Sequence, residues 1–537
     1  MKKIFFLAFI FITSIATQTL AQRSVETRIP SDVGGTTGLF LRIEIPTTTR
    51  YTNGAPIVIH VPGGFNGAGL GTGKGNLVPR GFIEINFNFP GSGSGSSQSG
   101  GTYDTRGEYC IKALRDIIKF ALGSKLDLNG KNIDQLVDPT VPLKSNVGIA
   151  GWSNGGNATT AVAGIFGKEI NSLAWIVNWE SPVGDGMPGA ECGSYGFQAI
   201  YTNPILNPAY NSSTGIFDTS TIAYNDTIIV SRPPTATMRG GLFFDINKNN
   251  RADVGIDFFA TPIMYQSFIE PKVFYSHRMM REATRRNLIP LSPPMHMPDL
   301  NKTTEFWKWR NGEFWIDSAK QKIPSIMFLV VASDTDHVQS APDHPHVLIQ
   351  YEKFRSAGTR LVRLNPDRSY VEYILGRPAP SAKDNPALTQ YDHNSIRNAV
   401  EPSGANGFQN WVLISASACE LADRTYYNNV QPQLNGVLTS VENEESSLKG
   451  YSLYQNFPNP FNLVTRIKYS VLSNEYVTLK VFDVFGREIE TLVDEMMQPG
   501  EYDVKFGNDN LELVSGVYYY QLQVNNFVET KKMILLK

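Results

Sequence analysis

The chain has 537 residues, of which 41% are hydrophobic and 11% aromatic. This length is too great for one ordinary domain, and the hydrophobic content is enough for a substantial core. The formal net charge is only −2 and the Lys and Arg residues are not clustered, which argues against nucleic acid as a partner. The three cysteines are too few for a disulfide framework, and no Cys/His spacing resembles a zinc site.

The first 21 residues predict a secretory signal peptide. Lys2 and Lys3 form a positive start, residues 4–15 form a short apolar core, and small residues precede a cleavage site after Ala21. A membrane anchor is the alternative, but the apolar run is short for a bilayer span. The sequence therefore predicts export of a chain that begins at residue 22.

Short apolar strands then alternate with helical patterns. Strands are expected at 36–46, 55–61, 81–89, 147–152, 173–178, 326–332 and 370–374, and helices at 107–122, 154–165 and 346–357. This alternation is typical of a doubly wound, mostly parallel α/β sheet with helices on both faces. From about 181 to 322 the alternation stops, and an insertion of this size predicts a cap over the functional site.

The end of the chain changes in character. Residues 420–450 are polar and charged and predict a linker, which leaves residues 22–419 for the α/β domain. Residues 451–537 read as alternating β-strands separated by turns about every 8 to 12 residues, without a helical period. Such a pattern is typical of a small all-β sandwich domain.

Gly151-Trp152-Ser153-Asn154-Gly155 fits the motif G-x-S-x-G between an apolar strand and a small-residue helix. The motif needs this context, because a tight strand-to-helix turn holds the serine in a strained conformation and lifts its hydroxyl into the cleft. The helix that follows points its positive dipole end at a developing oxyanion. Ser153 is therefore the candidate nucleophile, and a structural Gly-rich turn is the alternative.

A second Gly-rich segment, His60-Val61-Pro62-Gly63-Gly64-Phe65, follows an earlier strand. Acyl transfer needs two backbone N–H groups about 3 Å from the oxyanion. Asn154 would supply one of them. Gly64 or Phe65 would supply the other, because glycines allow close approach; a plain Gly-rich turn is the alternative.

Two further segments precede the first long helix, Gly91-Ser92-Gly93-Ser94-Gly95 and Tyr103-Asp104-Thr105-Arg106-Gly107. Together with the two motifs above, they make residues 36–415 resemble the α/β-hydrolase superfamily, and within it the secreted esterases and acyl-peptidases. The resemblance implies hydrolysis of esters or peptides without a cofactor. The cap has no pattern known from these families, so the substrate class stays open.

In this fold the acid and then the histidine follow the serine along the chain. Two aspartates, Asp334 and Asp336, follow the strongest apolar strand, and Asp336 is preferred because it leads directly into the turn before the next helix. Glu180, at the end of an earlier strand, is a further alternative. His393 lies late in the chain before the last helix and is the candidate base. It would take the Ser153 proton while the acid orients its imidazole.

Three functions are compatible with these residues. The leading one is a carboxylic ester hydrolase acting on a small-molecule ester. The second is a serine peptidase, similar to prolyl oligopeptidases or acyl-peptidases, for which Glu191 and Glu270 of the cap could bind the substrate amine. The third is a non-catalytic surface binding protein on a hydrolase scaffold.

One loop of the cap carries oxygen-bearing side chains at alternate positions, as calcium loops do. Its candidate ligands are Asp245, Asn247, Asn249, Arg251, Asp253 and Asp257. The loop is similar to EF-hand loops, but Asn250 stands where glycine is usual and the last carboxylate comes one residue late. An Asn/Asp-rich turn without an ion is an equal alternative, and a bound Ca²⁺ would be structural.

The C-terminal segment carries several characteristic motifs. They are the opening YQNFPNPFN at 454–462, the Gly486 turn, PGEY at 499–502, SGVYYY at 515–520 and the final KKMILLK. On these motifs residues 451–537 resemble the C-terminal sorting domain of the type IX secretion pathway. The resemblance implies export across the outer membrane by the type IX machinery, removal of the tail, and release or attachment at the cell surface.

Overall fold

A computed structural model describes residues 23–64, 67, 70, 77–184, 191–193, 206–229, 239–260, 263–265, 272–332, 345–377, 410–431, 434, 437–438, 452–456, 458–471, 474–498, 500–507, 513–525 and 527–536. The predicted signal peptide lies outside these residues. The chain divides into two compact units, residues 1–437 and 438–537. In the part of the chain that is described, no helix is long and apolar enough to cross a bilayer.

The first unit alternates strands and helices. Its strands are β1 (Arg23–Ile29), β2 (Leu39–Ile45), β3 (Ala55–Val61), β4 (Ile83–Phe87), β5 (Pro142–Trp152), β6 (Leu173–Trp179), β7 (Tyr210–Asn211), β8 (Ile216–Phe217), β9 (Ile222–Ile229), β10 (Arg239–Phe244), β11 (Ile263–Tyr265), β12 (Lys272–Phe274), β13 (Met327–Val331) and β14 (Leu361–Leu364). Its helices are α1 (Glu108–Ala121), α2 (Ile133–Val137), α3 (Gly155–Phe166), α4 (His277–Arg285), α5 (Leu300–Arg310), α6 (Ile316–Lys322), α7 (Pro345–Ser356), α8 (Arg368–Leu375) and α9 (Asn410–Tyr426). Short 3₁₀ turns lie at Val78–Arg80, Gly95–Ser97, Thr219–Thr221 and Gly312–Trp315.

Eight strands form the central sheet, in the order β1-β2-β4-β3-β5-β6-β13-β14. Strand β2 pairs antiparallel with β1 and β4. The other neighbouring pairs are parallel. All residues of β3 and β13 are buried, as expected for strands covered on both faces. The predicted mostly parallel α/β sheet is confirmed.

Helices cover the sheet on both faces. Ile176 of β6 belongs to an apolar cluster that includes Val162 of α3 and Val347 of α7. Its neighbour Val177 belongs to a second cluster, with Leu413 of α9. Because successive side chains of a strand point to opposite faces, these two clusters are the two layers of the core.

Two predicted segments differ from the structure, and strands β1 and β14 of the central sheet were not predicted. Residues 370–374 lie in helix α8 rather than in a strand, and β14 is the strand that precedes it. A short apolar run fits a buried helix as well as a strand, which explains the error. Helix α9 includes residues 420–426, which were predicted as linker. Their charged side chains suggested solvent, but Glu420, Asp423 and Arg424 are fully buried among ionic partners.

The insertion between β6 and β13 folds around its own core. Its described strands form three two-stranded sheets, β7-β8, β9-β10 and β11-β12, followed by helices α4 to α6. Phe243, Tyr275 and Met279 belong to one buried apolar cluster within it. The segment predicted as a cap is therefore an ordered subdomain over its described residues.

The second unit is built from antiparallel strands. They are β15 (Ser452–Leu453), β16 (Thr465–Val471), β17 (Glu475–Phe482), β18 (Glu488–Met497), β19 (Gly500–Phe506), β20 (Gly516–Val524) and β21 (Phe527–Leu535). They form two sheets, β15-β16-β19 and β18-β17-β20-β21. Ile467 and Tyr469 of one sheet share an apolar cluster with Leu479 and Leu522 of the other. The predicted β domain is confirmed over these residues.

Candidate active site

Three neighbouring strands of the central sheet end at the same level. β5 ends at Trp152, β6 at Trp179 and β13 at Val331, and these residues pair across the two ladders. The next residues continue the alignment, since the Ser153 N–H donates to Trp179 O at 2.9 Å and the Glu180 N–H donates to Val331 O at 2.9 Å. Ligands of open α/β sheets bind at this carboxyl edge of the strands.

Ser153 occupies the tight turn between β5 and α3. Its φ of 46° is positive, which non-glycine residues rarely adopt. A Cβ on Gly151 would meet the backbone N and Cα of Gly156 at 2.8 Å, and a Cβ on Gly155 would collide with Val61 O. Only glycine fits at both flanking positions, as the G-x-S-x-G motif requires.

The Gly-rich loop after β3 lies against this turn. A Cβ on Gly63 would lie 3.1 Å from the Cβ of Ser153. The side-chain amide of Asn154 donates to Gly64 O at 3.3 Å, and Gly64 has a positive φ of 63°. Gly64, Ser153 and Asn154 are therefore close together, as an oxyanion site requires. Phe65 lies outside the described residues.

Arg106 holds the same loop in place through hydrogen bonds to its backbone, a role that the sequence did not predict. Its buried guanidinium donates to Pro62 O at 2.6 Å and to Gly63 O at 2.9 Å. It also stacks on the ring of Phe89, with 4.4 Å between the guanidinium carbon and the ring centroid. Burial lowers the pKa of Arg106 from its ordinary value, but a guanidinium stays charged at neutral pH. In the sequence, Arg106 is named only as one residue of the segment 103–107, on which the family resemblance rests.

A buried pair holds the two ends of the loop. His60 Nε2 on β3 lies 3.0 Å from one carboxylate oxygen of Glu84. The other oxygen accepts the backbone N–H groups of Leu77 and Val78, each at 2.7 Å. Both ends of the loop therefore contact the same Glu84 carboxylate. His60 therefore has a structural partner within the sheet.

Asn157 connects the elbow helix α3 to the insertion. Its side-chain N–H donates to Asn154 Oδ1 and to Pro182 O, both at 3.1 Å. Its Oδ1 accepts the backbone N–H of Gly312 at 2.9 Å. One buried amide therefore joins the serine turn, the loop after β6 and the insertion. Asparagine in a small-residue helix gives no sequence signal for this contact.

The predicted acid and base lie outside the described residues, as Asp334, Asp336 and His393 all do. In the sequence both aspartates follow β13, whose described end lies at the same sheet edge as Ser153, because β13 is adjacent to β6. The segment that contains His393 lies between α8 and α9. The assignment of the Ser-His-Asp triad stays a prediction.

The carboxylates considered as alternatives have different surroundings. Glu180 is 2% exposed and directly follows β6. Glu191 is buried in the insertion, where its carboxylate lies 3.9 Å from the guanidinium of Arg278. Glu270 lies outside the described residues. A carboxylate beside an arginine is a weak candidate for binding a substrate amine, because the arginine already offsets its charge.

The calcium-like loop follows β10, and two of its carboxylates accept hydrogen bonds from the loop's own backbone. The carboxylate of Asp245 accepts two backbone N–H groups, at 3.2 and 2.8 Å, and that of Asp257 accepts two more, at 2.8 and 2.7 Å. Burial raises the pKa of Asp257, and the charges of Asp245 and Asp253 raise it further. The Arg251 side chain is exposed. Over the described part of the chain, no group of three His, Cys, Asp or Glu is spaced to hold a metal, so calcium binding stays a prediction.

Comparison with known families identifies the second unit. Residues 455–536 match the family model of the secretion system C-terminal sorting domain. This segment is a type IX sorting domain. The predicted resemblance is thereby confirmed, and the presence of the sorting domain implies export to the outer surface or beyond it. No curated protein matches the chain.

Several solved structures are similar to the chain at low identity. Carboxyl esterase 2 of the fungus Tuber melanosporum is 12% identical with a TM-score of 0.32, over 65% of this chain and 77% of that one. The esterase Est22 is 10% identical with a TM-score of 0.35, over 76% and 80%. The α/β hydrolase GrgF of Penicillium sp. sh18 is 14% identical with a TM-score of 0.28, over 64% and 89%. The activities named here are those of the three proteins.

Proposed function

We propose that the chain is an exported serine hydrolase that cleaves carboxylic esters by acyl transfer to Ser153. The observation that carries the proposal is the positive φ of Ser153 at a strand-to-helix turn, with a Gly-rich loop packed against it. Strain at a non-glycine residue on the ligand-binding edge of a sheet is characteristic of a functional residue. The sorting domain supports the exported location.

In the proposed reaction, the Ser153 hydroxyl attacks the ester carbonyl as His393 takes its proton. Asp336 orients the imidazole and stabilises the imidazolium that forms. The intermediate then expels the alcohol, which receives the proton from His393 and leaves an acyl group on Ser153. A water molecule activated by the same histidine cleaves this acyl-enzyme and releases the acid.

The oxyanion of the intermediate would be held by the backbone N–H of Asn154 and by that of Gly64 or Phe65. The N-terminus of α3 adds its positive dipole end at the same place. Removal of one such donor typically costs about 10²–10³ in kcat. The buried contacts of Arg106 and Asn157 support this role, because they hold the loop and the turn in one fixed arrangement.

Esters are favoured over peptides as substrates. A peptidase that binds the free amine of its substrate needs an accessible carboxylate, and Glu191, the one of the two candidates that the structure describes, lies beside Arg278. The proposed chemistry uses protein side chains and water alone.

The proposal is tested with the purified protein and two substrate panels, p-nitrophenyl esters of short fatty acids and peptide p-nitroanilides. Wild type is compared with Ser153→Ala and with a matched control, Ser172→Ala, which changes an exposed serine. We expect ester hydrolysis by wild type and by the control, and a loss of at least about 10³-fold in Ser153→Ala. Activity on anilides but not on esters would show that the protein is a peptidase rather than an esterase. Undiminished activity of Ser153→Ala would overturn the proposal.

A further inference from the structure

Arg310, the last residue of α5 in the insertion, holds the backbone that precedes Arg106. Its guanidinium donates to Thr105 O at 2.8 Å and also to Asp104 O. It stacks on the ring of Phe306, with 4.0 Å between the guanidinium carbon and the ring centroid. The two carbonyls belong to the residues directly before Arg106, so a side chain of the insertion fixes the turn from which Arg106 projects.

This turn is strained. Thr105 has a φ of 55° and Arg106 a φ of 66°. Two successive non-glycine residues in the left-handed region are unfavourable, the more so because threonine is β-branched. Such a conformation persists only where surrounding contacts hold it. The bonds from Arg310 fix the two peptide units on either side of Thr105, and they therefore support the strained conformation directly.

The guanidinium of Arg310 also lies close to the next residue of the turn. A Cβ on Gly107 would come within 2.4 Å of one of its nitrogens. On the other side, the Asp104 carboxylate accepts the N–H groups of Gly107 at 2.9 Å and of Tyr109 at 2.6 Å. The turn is thus held between the start of α1 and the end of α5.

Arg106 in turn sets the direction of one proposed oxyanion donor. Its guanidinium donates to Gly63 O at 2.9 Å. This oxygen and the N–H of Gly64 belong to one planar peptide unit and point in opposite directions. The bond to the carbonyl therefore orients the N–H of Gly64, while the position of Arg106 depends on the turn that Arg310 holds.

The core of the insertion fixes the position of α5. The indole N–H of Trp307 donates to Tyr275 O at 2.8 Å. The ring of Phe306 stacks on that of Phe274, with 3.7 Å between the two centroids. Arg310 is therefore presented by an ordered helix rather than by a free surface loop.

The insertion reaches the other proposed oxyanion donor only two residues after Arg310. The Gly312 N–H donates to Asn157 Oδ1 at 2.9 Å, and the Asn157 amide donates to Asn154 Oδ1 at 3.1 Å. One short segment thus contacts both sides of the proposed site, the loop after β3 through Arg106 and the serine turn through Asn157. A preorganised site requires such support from the residues behind it.

We infer that Arg310 is a positioning residue of the proposed oxyanion site. Through Arg106 it holds the N–H of Gly64 at the place where, together with the N–H of Asn154, it can donate to the oxyanion. This role rests on the proposed function and gives the insertion a part in the chemical step, apart from any part in binding the substrate.

Single variants test the role with the ester substrates above. Arg310→Met removes the donors and keeps an apolar stem against Phe306, and we expect kcat to fall about 10- to 10²-fold with KM within about twofold, because small displacements of reacting groups are costly. Arg310→Lys keeps one charged donor and should recover part of kcat. Arg285→Met, which changes an exposed arginine on α4, is the control and should equal wild type.

A double variant tests the path through Arg106. If Arg310 acts by holding the Arg106 turn, Arg310→Met should lower kcat by less than about twofold when it is added to Arg106→Lys, because both substitutions remove the same support. A substitution that merely loosens the fold would instead lower kcat by the same factor in both backgrounds. That result would overturn the inference.

The outcomes also separate this inference from the proposed function. Wild-type kcat in Arg310→Met, or a rise in KM alone, with Ser153→Ala inactive, overturns the role of Arg310 and leaves the serine hydrolase intact. An active Ser153→Ala overturns the proposed function itself. If Arg310→Met does not fold, Arg310→Lys decides by its kcat, alone and combined with Arg106→Lys. If neither variant folds, the inference is overturned, because Arg310 then serves the fold.

Discussion

The guanidinium of Arg50 donates two hydrogen bonds to the carboxylate of Asp423, at 2.5 and 2.6 Å, in the interior of the first unit. The hydroxyls of Tyr51 and Tyr370 donate to the same carboxylate at 2.7 and 2.8 Å. Asp423 lies on α9, whereas Arg50 and Tyr51 precede β3 and Tyr370 lies on α8. A single buried carboxylate thus connects α9 to α8 and to the segment before β3.

Removal of this carboxylate should be among the most destabilising single changes in the unit. Asp423→Asn leaves a buried arginine without its counter-charge, which typically costs about 3–5 kcal/mol of unfolding free energy. Glu26→Gln breaks the exposed pair with Arg42 and should cost less than about 1 kcal/mol. Urea unfolding of both variants measures the difference. If Asp423→Asn and Glu26→Gln were equally stable, the buried ion pair would not contribute more to stability than the exposed one, contrary to this prediction.

Arg106 should influence catalysis without touching the substrate. Arg106→Lys replaces a planar group that bonds two carbonyls of the oxyanion loop by a point charge, so the loop is held less exactly in place. A displacement of about 1 Å can cost about 10²-fold in rate, and we expect a fall of that order in kcat with little change in KM. Steady-state kinetics on the p-nitrophenyl esters measures it.

The matched control for Arg106 is Arg115→Lys. Arg115 also stacks on an aromatic ring, that of Phe166, with 5.0 Å between the guanidinium carbon and the ring centroid. It lies on α1 and bonds to acidic side chains rather than to the loop. Its kcat should equal that of wild type. If the kcat of Arg106→Lys also equalled that of wild type, the loop would keep its position without the guanidinium.

The cysteines should be unreactive in the native protein. Cys110, Cys192 and Cys419 are free and buried. Burial raises the pKa of the Cys110 thiol, and it raises the pKa of Cys419 to about 11. At pH 8 these two groups are therefore thiols, while the thiolate is the form that reacts. Iodoacetamide should modify no cysteine before unfolding and all three in urea, as read by intact mass. Alkylation of native Cys110 or Cys419 at pH 8 would contradict their burial.

The calcium loop predicted from the sequence has a direct test by thermal unfolding. The raised pKa of Asp257 means that its folded form holds a proton more readily than its unfolded form. Its contribution to stability is therefore full at pH below about 3.8 and is lost as the pH rises through the raised pKa, so the ionised carboxylate is a cost at neutral pH. A bound cation would offset that cost.

At free calcium 100 times the dissociation constant, binding adds about 2.7 kcal/mol of stability. We expect the melting temperature at pH 7 to be higher in calcium than in EGTA, and Asp253→Asn to remove the difference. Asp226→Asn, in the same insertion but outside the loop, is the control. Identical melting temperatures of wild type in calcium and in EGTA would leave the loop as an Asn/Asp-rich turn.

Features encoded locally were predicted well. The sheet strands are short apolar runs between helical patterns, and the turn at Ser153 follows from two glycines whose positions admit no Cβ. The sorting domain could be recognised because its characteristic motifs all lie in one continuous segment. For residues 370–374 the sequence predicts a strand where the structure has a helix, because periodicity over so few residues does not distinguish the two.

Contacts between distant segments could not be predicted. Arg106 and Pro62 are separated by 44 positions, and Arg50 and Asp423 by 373. No local pattern marks a charged residue of this kind as buried, and the polar composition of residues 420–426 instead suggested solvent. The adjacency of Ser153 and Glu180 likewise depends on strand order, which the sequence alone did not supply.

Ser153 is proposed to be an activated nucleophile. The most direct measurement treats the folded protein with a fluorophosphonate probe and locates the adduct by peptide mass spectrometry, with Ser153→Ala alongside. We expect one adduct, on the peptide that contains Ser153, and no adduct in the variant. A folded wild-type protein that takes up no probe, or takes it up at another serine, would contradict it.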